Sequence, residues 1–314
     1  MYGLSITSDG LYQKPDNDSN IPKPVDMLEL IMMKNIDSVR PSPIAGSWYS
    51  SDPQELAMTI DAYLRAAEPQ TLPGEVVGLV APHAGHIYSG PVAAYAFKTV
   101  MGRHYDHVAV LSPLHPFDSH PVLTSAHSAY ETPLGILPIN KDLVAAVDSA
   151  FIAKTGLNIS TVVKDREHSL EIELPFLQRT LAGEYDLIPI MIRDQSRQVA
   201  HDLGLALAEA LDPDTTLLVA SSDLSHFYPE AQANQLDGRF MKTLAKFSPD
   251  ALFDLNNRGL GQACGLSPIA AVLWATEQWG ANQVTLLDYN TSGAITGDRS
   301  SVVGYGAAAI TRPI

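Results

Sequence analysis

Two patterns of apolar positions alternate along this chain. Short, nearly unbroken apolar runs at residues 76–81, 108–112, 187–192 and 217–221 have the length and β-branched content of strands buried on both faces. Between them lie longer stretches with apolar residues at helical spacing. Leu56, Ile60, Tyr63 and Leu64 form one such stripe. Asp52-Pro53-Gln54-Glu55 opens it with an N-cap acceptor, a first-turn proline and an early acid. The same reasoning predicts helices over 91–100, 141–149, 169–181, 197–211, 230–246, 249–256 and 268–279, with Pro175 placed to kink the third. Further strand-like pieces fall at 122–125, 134–138, 284–289 and 302–310. Strands alternating with helices, with no internal repeat and no dividing linker, predict a single α/β domain. Its central sheet is expected to be mainly parallel and flanked by helices.

The first 40 residues break this pattern. They are rich in Asp, Asn, Ser, Lys and Pro, with one apolar patch at 27–33. They are expected to be a poorly ordered or loosely docked extension, ahead of a body at 41–314.

Composition narrows the function classes. The chain is 46% hydrophobic and 18% charged, enough to bury a sizeable core. Its 35 acidic and 20 basic residues give a formal charge of −15, which argues against nucleic acid and anionic membrane as partners. No apolar run approaches the roughly 18 residues of a membrane span. No basic-then-apolar leader pattern opens the chain, and Cys264 is the single cysteine. A cytoplasmic location is therefore expected, with no intrachain disulfide.

The candidate chemistry lies where three strand-like runs end. Val80-Ala81-Pro82-His83, Leu111-Ser112-Pro113-Leu114-His115 and Ser221-Ser222-Asp223-Leu224-Ser225-His226 each carry a histidine just past a predicted strand. Ligands of open α/β sheets bind beyond the carboxyl ends of strands, so these histidines are placed for a metal or acid–base site. His86 is a weaker candidate on the loop after His83. Asp223, three residues from His226, can orient that imidazole, or else serve as an N-cap. Cys264 precedes a predicted helix capped by Ser267 and Pro268, where the helix dipole favours a thiolate; it could equally be a small buried apolar residue. His168 and Glu171, spaced i, i+3 in a predicted helix, share a face as in carboxylate-rich metal sites, or are ordinary helix surface. The chain has no P-loop and no CxxC pair.

Several of these pieces together carry a resemblance. Ala45-Gly46-Ser47-Trp48-Tyr49, Ala81-Pro82-His83-Ala84-Gly85, Ser112-Pro113-Leu114-His115, Glu167-His168-Ser169, Ser221-Ser222-Asp223-Leu224-Ser225-His226 and Cys264-Gly265 ahead of Ser267-Pro268 resemble, in order, the MEMO family, also called AmmeMemoRadiSam system protein B. The resemblance spans about residues 43–310. It implies a fold similar to class III extradiol dioxygenases, which are non-haem iron enzymes that cleave catechol rings. It also implies metal ligation by His83, His115 and Cys264, with His226 as the acid–base histidine and Asp223 beside it. His86 stands where an aromatic is common in the family, which would bring an extra nitrogen to the site.

A thiolate in place of the carboxylate of a two-His facial triad is a softer ligand. Fe(II) or Cu is then the expected cofactor, with Zn as a further candidate. The implied function is that of a metal-dependent oxidoreductase acting on a small molecule. Two alternatives stay open: a non-catalytic protein that binds a small molecule or peptide, and a metal-free Cys264/His226/Asp223 hydrolase. Assembly into a homo-oligomer is compatible with either.

Overall fold

The computed structural model describes residues 38–163 and 165–314. Residues 1–37, most of the expected extension, lie outside the described residues. Val39–Arg40, also assigned to the extension, form a short strand (β1). It pairs in parallel with Ala129–Thr132.

The elements after β1 are α1 (Pro53–Ala66), β2 (Glu75–Ala81), α2 (His86–Lys98), β3 (His107–Pro113), β4 (Val122–Ser125), β5 (Ala129–Thr132), β6 (Gly135–Pro138), α3 (Lys141–Thr155) and β7 (Ser160–Val162). A 3-10 turn at Glu171–Glu173 leads into α4 (Leu174–Thr180). The chain continues through β8 (Asp186–Ile192), α5 (Arg197–Ala210), β9 (Thr216–Ser221), β10 (Asp223–Tyr228), α6 (Glu230–Leu244), α7 (Pro249–Asn257), α8 (Leu266–Gln278), β11 (Gln283–Thr291), α9 (Gly293–Thr296) and β12 (Val302–Arg312).

The fold is α/β, with a nine-stranded sheet in the order β10-β12-β2-β9-β3-β8-β4-β7 and β11 added to β12. Its four central strands, β2, β9, β3 and β8, are mutually parallel, as the unbroken apolar runs predict. Its margins are not. β12 pairs antiparallel with β2, β10 and β11, and β4 pairs antiparallel with β8. The sheet is therefore mixed, parallel at the centre and largely antiparallel toward the edges.

Local chemistry sets several boundaries. Asp52 Oδ1 accepts from the backbone N–H groups of Gln54 and Glu55, as its sequence position predicts. Asn140 caps α3 and Ser196 caps α5 in the same way. α2 begins five residues earlier than expected. Pro91 lies inside it rather than at its start, and the carbonyl left without a donor belongs to Ile87, an exposed residue. Pro175 starts α4 and kinks nothing, because the preceding residues form the 3-10 turn.

Helices pack in two groups: α5 lies against α3 and α8, with α7 on α8 and α6 on α7, while α1, α2 and α4 pack together. α8 is buried from Leu266 to Thr276, as a helix apolar all round requires. α5 approaches it closely at Gly204, where a Cβ would lie 2.7 Å from the Ala271 carbonyl oxygen. No helix among the described residues is long and apolar enough to cross a membrane.

Candidate metal centre

Register delivers the site. Ala81 at the end of β2 is level with Ser221 at the end of β9, and Leu111 near the end of β3 is level with Ala220. β9 lies between β2 and β3, so the loops bearing His83, His115 and Asp223 leave one edge of the sheet side by side. One ring nitrogen from each of His83, His115 and His168 lies within 4.8 Å of the others. The His115 and His168 rings stack at 4.7 Å, and His83 stands edge-on to both. His83 is buried, at 2% exposure, His168 is half-buried, and the cluster opens to solvent at His115.

Two supports determine which nitrogens face the centre. Glu167, 1% exposed, accepts from His115 Nδ1 at 2.9 Å. It also accepts from the backbone N–H groups of His115, His168 and Ser169 and from Ser169 Oγ, all at 2.6–2.9 Å. Burial alone would raise its pKa. The hydrogen bond from the His115 ring, with those from the backbone amides, outweighs burial and brings it down to about 2. His115 thus carries its proton on Nδ1 and leaves Nε2 free.

His83 is held differently. Its Nδ1 lies 2.8 Å from Ser221 Oγ, and Ser221 Oγ donates to the Ser169 carbonyl at 2.6 Å. A hydroxyl has one proton, and here it is committed to a carbonyl that can only accept. His83 Nδ1–H must therefore be the donor, and Nε2 is bare. Burial and the neighbouring His115 and His168 push the His83 pKa well below the usual imidazole value. Burial lowers His168 to about 4. The His83 and His168 rings therefore have lone pairs to offer.

Cys264 Sγ lies 3.1 Å from His83 Nε2. Gly265 makes this approach feasible: a Cβ there would sit 2.3 Å from the Ser221 carbonyl oxygen. The cap of α8 is Gly265, not Ser267 as expected. Nor is the Cys264 thiol primed as an anion: burial, then the charge of Asp223, pushes its pKa far up.

The remaining expected site residues are distributed unevenly. His226 lies near the cluster, between two register shifts that bend β10. Its Nδ1–H donates to the Leu224 carbonyl, leaving Nε2 as an acceptor, and burial lowers its pKa. Asp223 does not orient it. Asp223 Oδ1 instead accepts from the His83 backbone N–H, because β10 turns the carboxyl back toward the end of β2. Burial raises Asp223 to about 7 against the pull of the His83 and Ala84 amides.

His86 and Glu171 stay apart from the cluster. His86 is buried beside Tyr49 and Phe176 and donates Nε2–H to the Ile172 carbonyl. Glu171 pairs with Arg40 and accepts from Ser42 and Tyr49, in a buried group completed by Asp165, whose carboxylate lies 2.7 Å from Arg40 Nε. No helix places Glu171 on a face with His168, since the 3-10 turn begins only at 171. Sequence reasoning passed over Glu167 and Ser221 as site residues. Glu167 sat in one of the matching motifs, but two of its five donors come from His115, which follows the end of β3 and reaches it only in the fold.

A family model described as Memo-like protein matches residues 40–309. The chain belongs to this family. A MEMO1 family protein of Nitrosopumilus maritimus is 32% identical over 274 residues, covering 86% of this chain and 98% of the relative. One from Methanopyrus kandleri is 32% identical over 285 residues, covering 87% and 99%, and one from Methanothermobacter thermautotrophicus is 31% identical over 277, covering 85% and 98%. The match to the Memo-like family begins at Arg40, which anchors Glu171 and donates to the Glu167 carbonyl. In this Memo-like chain the family match thus takes in the buried group behind the histidines as well as the histidines themselves.

Proposed function

We propose that this Memo-like protein holds one redox-active metal ion on His83 and His115, completed by Cys264 on one side and His168 on the other. The observation that carries this reading is the convergence of three ring nitrogens, two of them on imidazoles whose Nδ1–H is tied to a support. Metal-ligating histidines characteristically donate the other ring N–H to a carboxylate, carbonyl or hydroxyl, which sets the tautomer and strengthens the ligand. Imidazoles with one thiolate suit iron or copper, and zinc next. Cys264 must lose its proton to ligate, so affinity is expected to rise with pH.

When bound, iron or copper supplies the one-electron chemistry and Lewis acidity that side chains lack. The protein's own residues do the rest. His226 Nε2 is a neutral acceptor positioned to take a proton from a small molecule at the open His115 side. Asp223 pins the His83 backbone and so the position of the ring. These roles support a metal-dependent oxidoreductase. The metal-free hydrolase is disfavoured, because the Cys264 thiol faces His83 rather than His226 and its ionisation is suppressed.

A binding role has one observation in its favour. Phe117 and Phe227, close in sequence to His115 and His226, are 86% and 76% exposed, and exposed aromatic rings are apolar surface that a ligand or peptide can cover.

Metal content by mass spectrometry on anaerobically purified protein tests the assignment. About one equivalent of iron or copper is expected, lost in His83→Ala. Comparing Cys264→Ser with His168→Ala then ranks the two flanking donors. No bound metal after anaerobic addition of Fe(II) or Cu(I) would overturn it.

A further inference from the structure

Glu173 has no evident structural task. It is 0% exposed, and neither carboxyl oxygen has a hydrogen-bond partner. A buried carboxyl without partners is costly, and such groups persist mainly where function retains them. The polar group facing it is Ser221 Oγ, whose proton is committed to the Ser169 carbonyl. That same hydroxyl accepts from His83 Nδ1–H. The other charged group nearby is Asp223, whose carboxyl is bound to the His83 backbone.

Ser221 gives this arrangement two settings. With Glu173 neutral, the Ser221 proton goes to the Ser169 carbonyl, as observed. With Glu173 ionised, that proton can rotate to the carboxylate, while His83 Nδ1–H goes on donating to Ser221. The second setting forms a continuous carboxylate–hydroxyl–imidazole chain, which makes His83 a stronger electron donor.

We propose that Glu173 is a positioning residue for His83. Acting through the Ser221 hydroxyl, its carboxyl supplies the counter-charge behind His83 when a cation sits on the imidazoles, as Glu167 does behind His115. The step is a simple ionisation: the Glu173 proton leaves to solvent, the Ser221 proton turns from Ser169 to Glu173, and no other bond changes. This rests on the metal-binding reading above.

The test uses Glu173→Gln, which keeps size and shape, with Ser221→Ala and the double variant. Thermal melting of metal-free protein is measured from pH 5 to 8. Fe(II) binding is followed anaerobically by calorimetry in buffers of different ionisation enthalpy, which counts released protons. Burial, reinforced by Asp223, raises the Glu173 pKa, so the folded state keeps a proton that the unfolded state loses. Stability therefore falls as pH rises above the ordinary glutamate value of about 4.5. Glu173→Gln should melt higher than the parent and show a shallower decline with pH. It should bind Fe(II) at least about tenfold more weakly and release one proton fewer. Ser221→Ala should also bind more weakly, and the double variant no more weakly than the worse single. Glu173→Gln that melts lower and binds Fe(II) as tightly as the parent, with the same proton count, would show a packing role and overturn this proposal alone. A parent protein that binds no Fe(II), with Glu173→Gln still melting higher, would overturn the metal reading and this proposal with it.

Discussion

Glu167 and Glu173 lie on the same short segment and are equally buried, yet the fold treats them in opposite ways. Glu167 receives five hydrogen bonds and is held ionised, with its pKa near 2. Glu173 receives none, and its pKa is pushed up. Burial alone penalises charge at both sites. The number of donors aimed at each carboxyl decides the outcome. His115 accordingly has a charged support in direct contact. His83 has a hydroxyl in contact and a carboxyl one step behind.

The largest test of this contrast is Glu167→Ala. It strips the acceptor from the N–H groups of His115, His168 and Ser169, and should cost on the order of 3–5 kcal/mol by chemical denaturation. A cost under about 1 kcal/mol would mean that the hydrogen bonds are not what separates the two glutamates.

The pH dependence comes next. Because Glu167 is depressed from 4.5 to about 2, its contribution is fully present above pH 4.5 and is lost as pH falls toward 2. That amounts to roughly 3 kcal/mol. The difference in stability between the parent and Glu167→Gln, measured from pH 6 to 2, should shrink over that window. A difference that stays constant with pH would contradict a depressed pKa.

Gly265→Ala probes the other flank. Its Cβ would meet the Ser221 carbonyl, so Cys264 and the end of β9 must move. About 1–3 kcal/mol of stability should be lost, together with metal binding. Unchanged binding of Fe(II) or Cu(I) would remove Cys264 from the proposed ligand set.

The smallest effect belongs outside both flanks. Phe227 has a φ of +65° and is 76% exposed, so little packing offsets its backbone strain. Phe227→Gly should gain about 1 kcal/mol without altering metal affinity. A loss of stability would show that the ring is held by contacts beyond those at its exposed surface.

Much of this was readable from the sequence. The parallel strands β2, β3, β8 and β9 were legible because strands buried on both faces leave unbroken apolar runs. His83 and His115 were legible because each follows such a run through a proline. The edges of the sheet were less so: β10 occupies a stretch that also reads as a capped turn, and only pairing with β12 makes Asp223–Tyr228 a strand. His86, Glu171 and Asp223 were placed in the site on local grounds, and the fold gave each a different partner: Ile172, Arg40 and the His83 backbone.

The amino-acid sequence by itself determined the α/β class, the central strands, most helix starts and the delivery of two histidines to strand ends, since all of these follow from near-neighbour patterning and capping. Only the tertiary structure decided that His168 completes the cluster, that Cys264 reaches His83, and that Glu167 is charged while Glu173 is left without partners. Those outcomes depend on donors and acceptors from segments far apart in the chain. Their alignment is set by strand register and by close packing at positions such as Gly265, where a single added carbon would not fit.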